Sequence, residues 1–197
     1  MRLSFIRHGQ TVLLEQGNVL RGRTDDVLTT KGYQQMAKTF DKYAPTRSWQ
    51  GVFSSPLSRC RTFASDKADA YGLPLFIVDE LQEIDFGDWE NTTTATLYER
   101  YPDELALYWQ SPHLYTPPNA ERVADFKHRI LSAIAFVYRT ACLYQMERVC
   151  VICHGGVIKM LYLVAHDLPM SQLLTTPVAL GELHEFWYDG ALQVADV

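Results

Sequence analysis

The sequence predicts an α/β protein of three layers, a mostly parallel sheet with helices on both faces and a small cap insertion. Three observations predict it. Short apolar runs alternate with stretches of helical period, as in proteins that cross over from strand to strand through helices. The runs are almost continuously apolar, as strands covered on both faces are. A length of 197 residues suits one domain with a full core.

The first strand covers residues 3–6 and ends at Arg7-His8-Gly9. A loop follows with Gly17, Gly22 and the pair Asp25-Asp26. Thr29-Thr30 precede a helix marked by Met36, Phe40 and Tyr43, which the pattern stops before Pro45. Residues 51–55 form the second strand, and Pro56 opens a helix to about Tyr71, with Gly72 and Pro74 as stop signals. Residues 75–78 are a third apolar run, whereas residues 79–95 have no helical period and gather carboxylates. Residues 96–109 are amphipathic, and Pro112, Pro117 and Pro118 mark the loop beyond. Residues 121–145 form a long helix burying Val123, Phe126, Ile130, Ile134 and Val137. Arg148–Cys153 is the most hydrophobic strand, closed by His154-Gly155-Gly156, with a helix running on through Leu163. Leu183–Tyr188 and Leu192–Val194 flank Asp189-Gly190 as a terminal hairpin. With no repeat, low-complexity tract or linker, residues 1–197 form a single domain with 91–120 as the cap insertion.

Composition narrows the function. The chain is 47% hydrophobic and 21% charged, with net charge −5, which gives no support to a nucleic-acid partner. No 18-residue apolar run offers a membrane span, and Arg7 comes too soon for a signal-peptide core, so the expected location is cytoplasmic. Residues 1–61 hold ten Lys/Arg against four Asp/Glu, and the rest eight against nineteen. That asymmetry fits an anion site and equally a solvated basic surface. Cys60, Cys142, Cys150 and Cys153 form no disulfide framework: Cys150 and Cys153, three apart on a strand, face opposite ways.

Ligands of open α/β sheets bind beyond the carboxyl ends of the strands. Two strands end alike there, in Ile-Arg7-His8-Gly9 and Ile-Cys-His154-Gly155-Gly156, each His followed by glycine that admits backbone N–H groups to a ligand. A third ends at Ser54-Ser55, with Arg59 near the start of the next helix. Arg7, Arg59 and a helix N-terminus suit an anion, because a guanidinium fork matches phosphate oxygens in pairs. Either histidine alone would be an ordinary structural residue. Together, delivered independently to one rim, they point to an anion-handling site.

These residues carry a resemblance to the histidine phosphatase superfamily, which includes phosphoglycerate mutases. Besides Arg7-His8-Gly9-Gln10-Thr11, it takes in residues 22–25 and 28–32, residues 54–60, Leu81-Gln82-Glu83-Ile84-Asp85-Phe86-Gly87-Asp88-Trp89-Glu90, and His154-Gly155-Gly156-Val157. The resemblance implies a phosphoglycerate mutase-like fold and a phosphohistidine mechanism. His8 would be the nucleophile; Arg7, Arg59, His154 and Gly155 would bind the phosphoryl oxygens; Glu83 would be the proton donor, made partly protonated by crowding from Asp85, Asp88 and Glu90. Gln10, Thr11, Arg23 and Asp85 are secondary candidates, Asp85 as reserve acid. No cofactor or metal is implied.

Within the family, the motif is most similar to alpha-ribazole phosphatases of cobalamin biosynthesis, so alpha-ribazole 5′-phosphate is the expected substrate. The alternatives are a general sugar-phosphate phosphatase, a phosphoglycerate mutase, or a relative that binds phosphate ligands without turnover. Two blocks depart from many members: Asn91 follows Trp89-Glu90 in place of glycine, and Pro118-Asn119-Ala120-Glu121-Arg122 stands where P-x-G-E-S belongs. Tyr98, Tyr101, Tyr108, Trp109 and Tyr115 either stack on a substrate base or form the cap's own core. The expected partner is a small phosphate ester, and the chain is a candidate homodimer.

Overall fold

A computed structural model describes residues 1–17 and 19–195. Its six-stranded sheet runs β4-β3-β6-β1-β7-β8, from strands β1 Arg2–Arg7, β3 Val52–Ser54, β4 Leu75–Ile77, β6 Arg148–Cys153, β7 Leu183–Tyr188 and β8 Leu192–Val194. The first four are parallel, and the terminal hairpin adds β7 antiparallel to β1. Helices cover both faces. α2 (Thr30–Arg47) and α3 (Ser58–Tyr71) bring Met36, Phe40 and Phe63 against Ile6, Val52, Cys150 and Ile152. α6 (Val123–Leu143) and α7 (Gly155–Ala165) cover Leu3, Phe5, Val149, Val151 and Cys153 on the other. Strand alternation thus separates Cys150 from Cys153, and all four cysteines are free.

Several boundaries differ from the sequence reading. α2 runs past Pro45 to Arg47: the proline loses its own helical bond, but the turn beyond it is held by Ser48 N donating to the Ala44 carbonyl and by Arg47 pairing with Glu185, and Ser48 closes the helix in left-handed backbone. The amphipathic stretch at 96–109 is two helices, α4 Thr94–Arg100 and α5 Pro102–Gln110, since Pro102 disfavours helical backbone at Tyr101 and starts a new first turn. α3 opens at Ser58, two residues after Pro56. The short helix α1 (Val12–Gln16) and the ribbon of β2 (Val19–Leu20) with β5 (Thr92–Thr93) have no apolar period to announce them.

Tyr108 and Leu105 of α5 pack with Leu97 of α4 around the buried Trp89. Tyr101 and Tyr115 lie against the same indole, with ring centroids 6.4 and 5.8 Å away. Tyr108 is therefore core, with Tyr115 packed beside it, whereas Tyr101 and Trp109 are 44% exposed and Tyr98, 69% exposed, faces solvent. Asn91 adopts φ 55°, left-handed backbone that Asn tolerates better than most residues, so the missing glycine after Glu90 leaves the turn intact.

Candidate active site

Parallel pairing carries the ends of β1, β3 and β6 to one rim. His8 and His154 emerge from β1 and β6 with ring centroids 5.3 Å apart, both buried. His8 Nδ1 donates to the Gly9 carbonyl at 2.8 Å, which leaves Nε2 as the nitrogen with the free lone pair. Burial, then the charges of Arg59 and Arg7, push both rings well below the usual histidine range, so both are neutral at pH 7.

Arg59, on the first turn of α3, is fully buried. Its Nε donates to His154 Nδ1 at 3.2 Å, Nη1 to the Thr24 carbonyl at 2.8 Å and Nη2 to the Gly22 carbonyl at 2.6 Å. His154 Nε2 in turn donates to Ser55 Oγ at 2.7 Å. Both nitrogens of His154 are therefore engaged by protein groups, and a phosphoryl oxygen reaches this ring only by exchange of one bond. Arg7 is held by the Val178 carbonyl, 2.5 Å from Nη1, while its buried Nε has no hydrogen-bond partner among the described residues. A buried N–H left unsatisfied is costly, and an anion oxygen would satisfy it. Cys60 Sγ lies 3.7 Å from His154 Nε2, but burial pushes the thiol pKa up to about 12, so it is no nucleophile at neutral pH.

Glu83 accepts from Gly156 N at 2.8 Å and from its neighbour Ile84 N at 3.1 Å, which sets its carboxylate at the positive end of α7. The other carboxylates of this segment have donors of their own. Asp85 accepts from Gly87 N, Asp88 from Asn119, and Glu90 from the 22–24 turn. The glycines also serve a different purpose from the one expected. A Cβ at Gly9 would lie 2.0 Å from the Gly32 carbonyl, at Gly155 3.0 Å from Arg7 Nε, and at Gly156 2.3 Å from Glu83 Oε1. They make room for protein groups. Likewise the N-terminus of α3 is taken by Asp25, which accepts from Ser58 N and Oγ, both at 2.7 Å.

A Gly156→Ala protein is expected to fold normally, since Ala suits a helix and only the tip of Glu83 must move. Its kcat should fall by about tenfold or more through that displacement, with little change in inhibition by inorganic phosphate. Steady-state kinetics and a thermal midpoint check both halves.

Among the described residues, none of the secondary candidates bonds to His8, His154, Arg7 or Arg59. Gln10 is tied through its backbone to Gln35 and Thr29, and Thr11 accepts from Arg21. Arg23 lies on the surface, 3.7 Å from Asp85 and 3.6 Å from Glu121. Beside Arg7 and Glu83 opens a cavity of about 290 Å³, walled by apolar residues such as Ile84, Phe86 and Leu174, and reached by Tyr108, Trp109, Arg21 and Lys159. Sequence reasoning named Ser55 only as a strand end, and it missed Arg21 and Lys159. Lys159 had a signal, as the single charge in the otherwise apolar α7; among the described residues its Nζ reaches only the Leu174 carbonyl, at 3.4 Å.

A family model described as Histidine phosphatase superfamily (branch 1) matches residues 3–195. The chain is 35% identical over 195 residues to the Bifunctional protein Rv2228c of Mycobacterium tuberculosis, covering 98% of this chain and 52% of that protein. It thus spans about half the length of that relative. It is 29% identical to the Adenosylcobalamin/alpha-ribazole phosphatase of Salmonella typhimurium, over 91% of this chain and 82% of the relative. Among solved structures, Bacillus stearothermophilus YhfR superposes with a TM-score of 0.89 at 27% identity, covering 98% of this chain and 95% of that one.

Proposed function

Because this chain belongs to branch 1 of the histidine phosphatase superfamily, we propose that it is a phosphomonoesterase working through a phosphohistidine at His8. His8 Nε2 attacks phosphorus as the bond to the ester oxygen breaks, and Glu83 gives that oxygen its proton. Glu83 then takes a proton from water, whose oxygen attacks phosphorus as the bond to His8 breaks. Arg7 Nε and the two N–H groups of Arg59 that hold no acceptor among the described residues meet the charge on the phosphoryl oxygens, with His154 and Gly155 beside them. The observation that carries this reading is the pair of neutral, buried imidazoles 5.3 Å apart with two guanidiniums at the same rim.

Alpha-ribazole 5′-phosphate is the substrate we favour, a reading supported by the Salmonella relative and by the largely apolar cavity with Trp109 at its edge. Residues 91–120 would act as the cap that shapes this cavity. A general sugar-phosphate phosphatase is the second reading, favoured by Lys159, a cation in the cavity with no carboxylate partner among the described residues. The four free thiols suit the reducing cytoplasm; among the described residues, no helix is long and apolar enough to cross a membrane. A panel of phosphate esters ranked by kcat/KM tests the assignment. Alpha-ribazole 5′-phosphate should lead the panel; equal rates on sugar phosphates would sink the specific reading and leave the general one.

The titration of His8 adds a pH prediction. Its folded pKa is depressed, so the attacking neutral form persists below pH 6.5 and is lost only as pH falls through the lowered value. The acid limb of the kcat profile should therefore fall below the ordinary histidine range. The same shift means that the unfolded chain takes up protons first, so stability declines as pH drops below about 6.5. Urea titrations between pH 7 and 5 should show that decline.

A further inference from the structure

We propose that Glu90 is a positioning residue for phosphoryl binding: its carboxylate gathers the backbone of residues 22–24 so that two carbonyls of that turn aim Arg59. The inference rests on the phosphohistidine reading. Glu90 Oε1 accepts from Gly22 N at 2.9 Å, Arg23 N at 2.9 Å and Phe86 N at 3.0 Å. Its Oε2 accepts from Thr24 N at 3.0 Å and Thr24 Oγ1 at 2.5 Å. Consecutive backbone N–H groups converge in this way only around a concentrated acceptor, and a carboxylate provides one.

The turn held by Glu90 grips Arg59 from two sides. The Gly22 and Thr24 carbonyls accept from Nη2 at 2.6 Å and from Nη1 at 2.8 Å. The next residue, Asp25, accepts from the backbone and hydroxyl of Ser58, which fixes the end of α3 that carries Arg59. The turn also fits closely against the Glu90 segment: a Cβ at Gly22 would lie 1.6 Å from the Ile84 carbonyl. Three of the five guanidinium N–H groups of Arg59 are thereby spent on protein acceptors, and their geometry decides where the other two point. Without the Glu90 carboxylate, four backbone N–H groups lose their acceptor, the turn relaxes, and the guanidinium loses its alignment. Glu90 touches no reacting atom; it acts through the turn.

A double-mutant cycle with Arg59→Met tests this, reading kcat/KM for p-nitrophenyl phosphate, the inhibition constant of inorganic phosphate, and the thermal midpoint. Glu90→Ala should lower kcat/KM and weaken phosphate inhibition by about ten- to a hundredfold, as a misaligned binding group does. Glu90→Gln, which keeps one acceptor oxygen, should fall between Glu90→Ala and the parent. In the Arg59→Met background, Glu90→Ala should cost no more than about a further twofold, because coupled residues are not additive. Full multiplication of the two losses would overturn the proposal. So would a lowered midpoint with both constants of the folded protein unchanged. If Glu90→Ala does not fold, Thr24→Val in the same cycle decides: it removes one donor to Glu90 and should show the same non-additivity, and multiplicative losses would overturn the role. An active His8→Ala protein would overturn the phosphohistidine reading itself, and this role with it.

Discussion

Replacing His8 with alanine is expected to lower turnover of an aryl phosphate by about 10⁴-fold or more, the scale on which loss of a covalent nucleophile acts. No neighbour can take over. Cys60 is held as a neutral thiol by burial, and His154 has Nδ1 committed to Arg59 and Nε2 to Ser55. Water could still attack directly at a phosphate bound by Arg7 and Arg59, and that route sets the residual rate. The fold should survive, because among the described residues the His8 ring makes one hydrogen bond, to its own neighbour Gly9. Inhibition by inorganic phosphate should persist for the same reason, since the two guanidiniums remain. A stopped assay of the variant, with its thermal midpoint and its phosphate inhibition constant, separates loss of the nucleophile from loss of the site.

The second large effect is on stability. Glu185, on β7, is fully buried and accepts from Arg2 at 2.6 Å, Arg47 at 2.7 Å and Ser4 Oγ at 3.0 Å. One carboxylate thus ties the first strand, the end of α2 and the terminal hairpin together. Glu185→Ala would strand the charge of Arg47, whose side chain is 19% exposed, and leave the buried Ser4 hydroxyl without its acceptor. Breaking such a pair costs about 3 kcal/mol, taking the low end because both arginines keep some contact with water. For a chain of this size that is a fall in thermal midpoint of about 6–12 °C. The site lies at the opposite end of β1, so kcat well below the midpoint should be unchanged. A calorimetric scan beside a room-temperature assay checks both.

The sequence carried the fold and the core of the site for a simple reason. Apolar runs of strand length, read as parallel, deliver whatever follows them to one rim, and that placed His8, His154 and Ser55 together. Arg59 followed from the same rule, since a helix after a strand begins at that rim. What it could not carry was partner choice among polar groups. Asp85, Asp88 and Glu90 read alike as carboxylates of one acidic segment, yet Glu90 is enclosed by donors from residues 22–24, some seventy positions away. The same holds for the glycines after each histidine, whose need for space comes from Gly32, Arg7 and Glu83. Helix ends failed where two local rules compete: Pro45 is tolerated within the last turn of α2, whereas Pro102 divides what the apolar period reads as one helix.

The central claim is that His8 takes the phosphoryl group, and trapping that intermediate tests it most directly. The chain would be mixed with a labelled phosphate ester, quenched in alkaline denaturant within one turnover, digested and sequenced by mass spectrometry. The expected result is one phosphoryl group on the peptide carrying His8, stable to base and released by mild acid. Label on another residue, or a bond that resists acid, would contradict it.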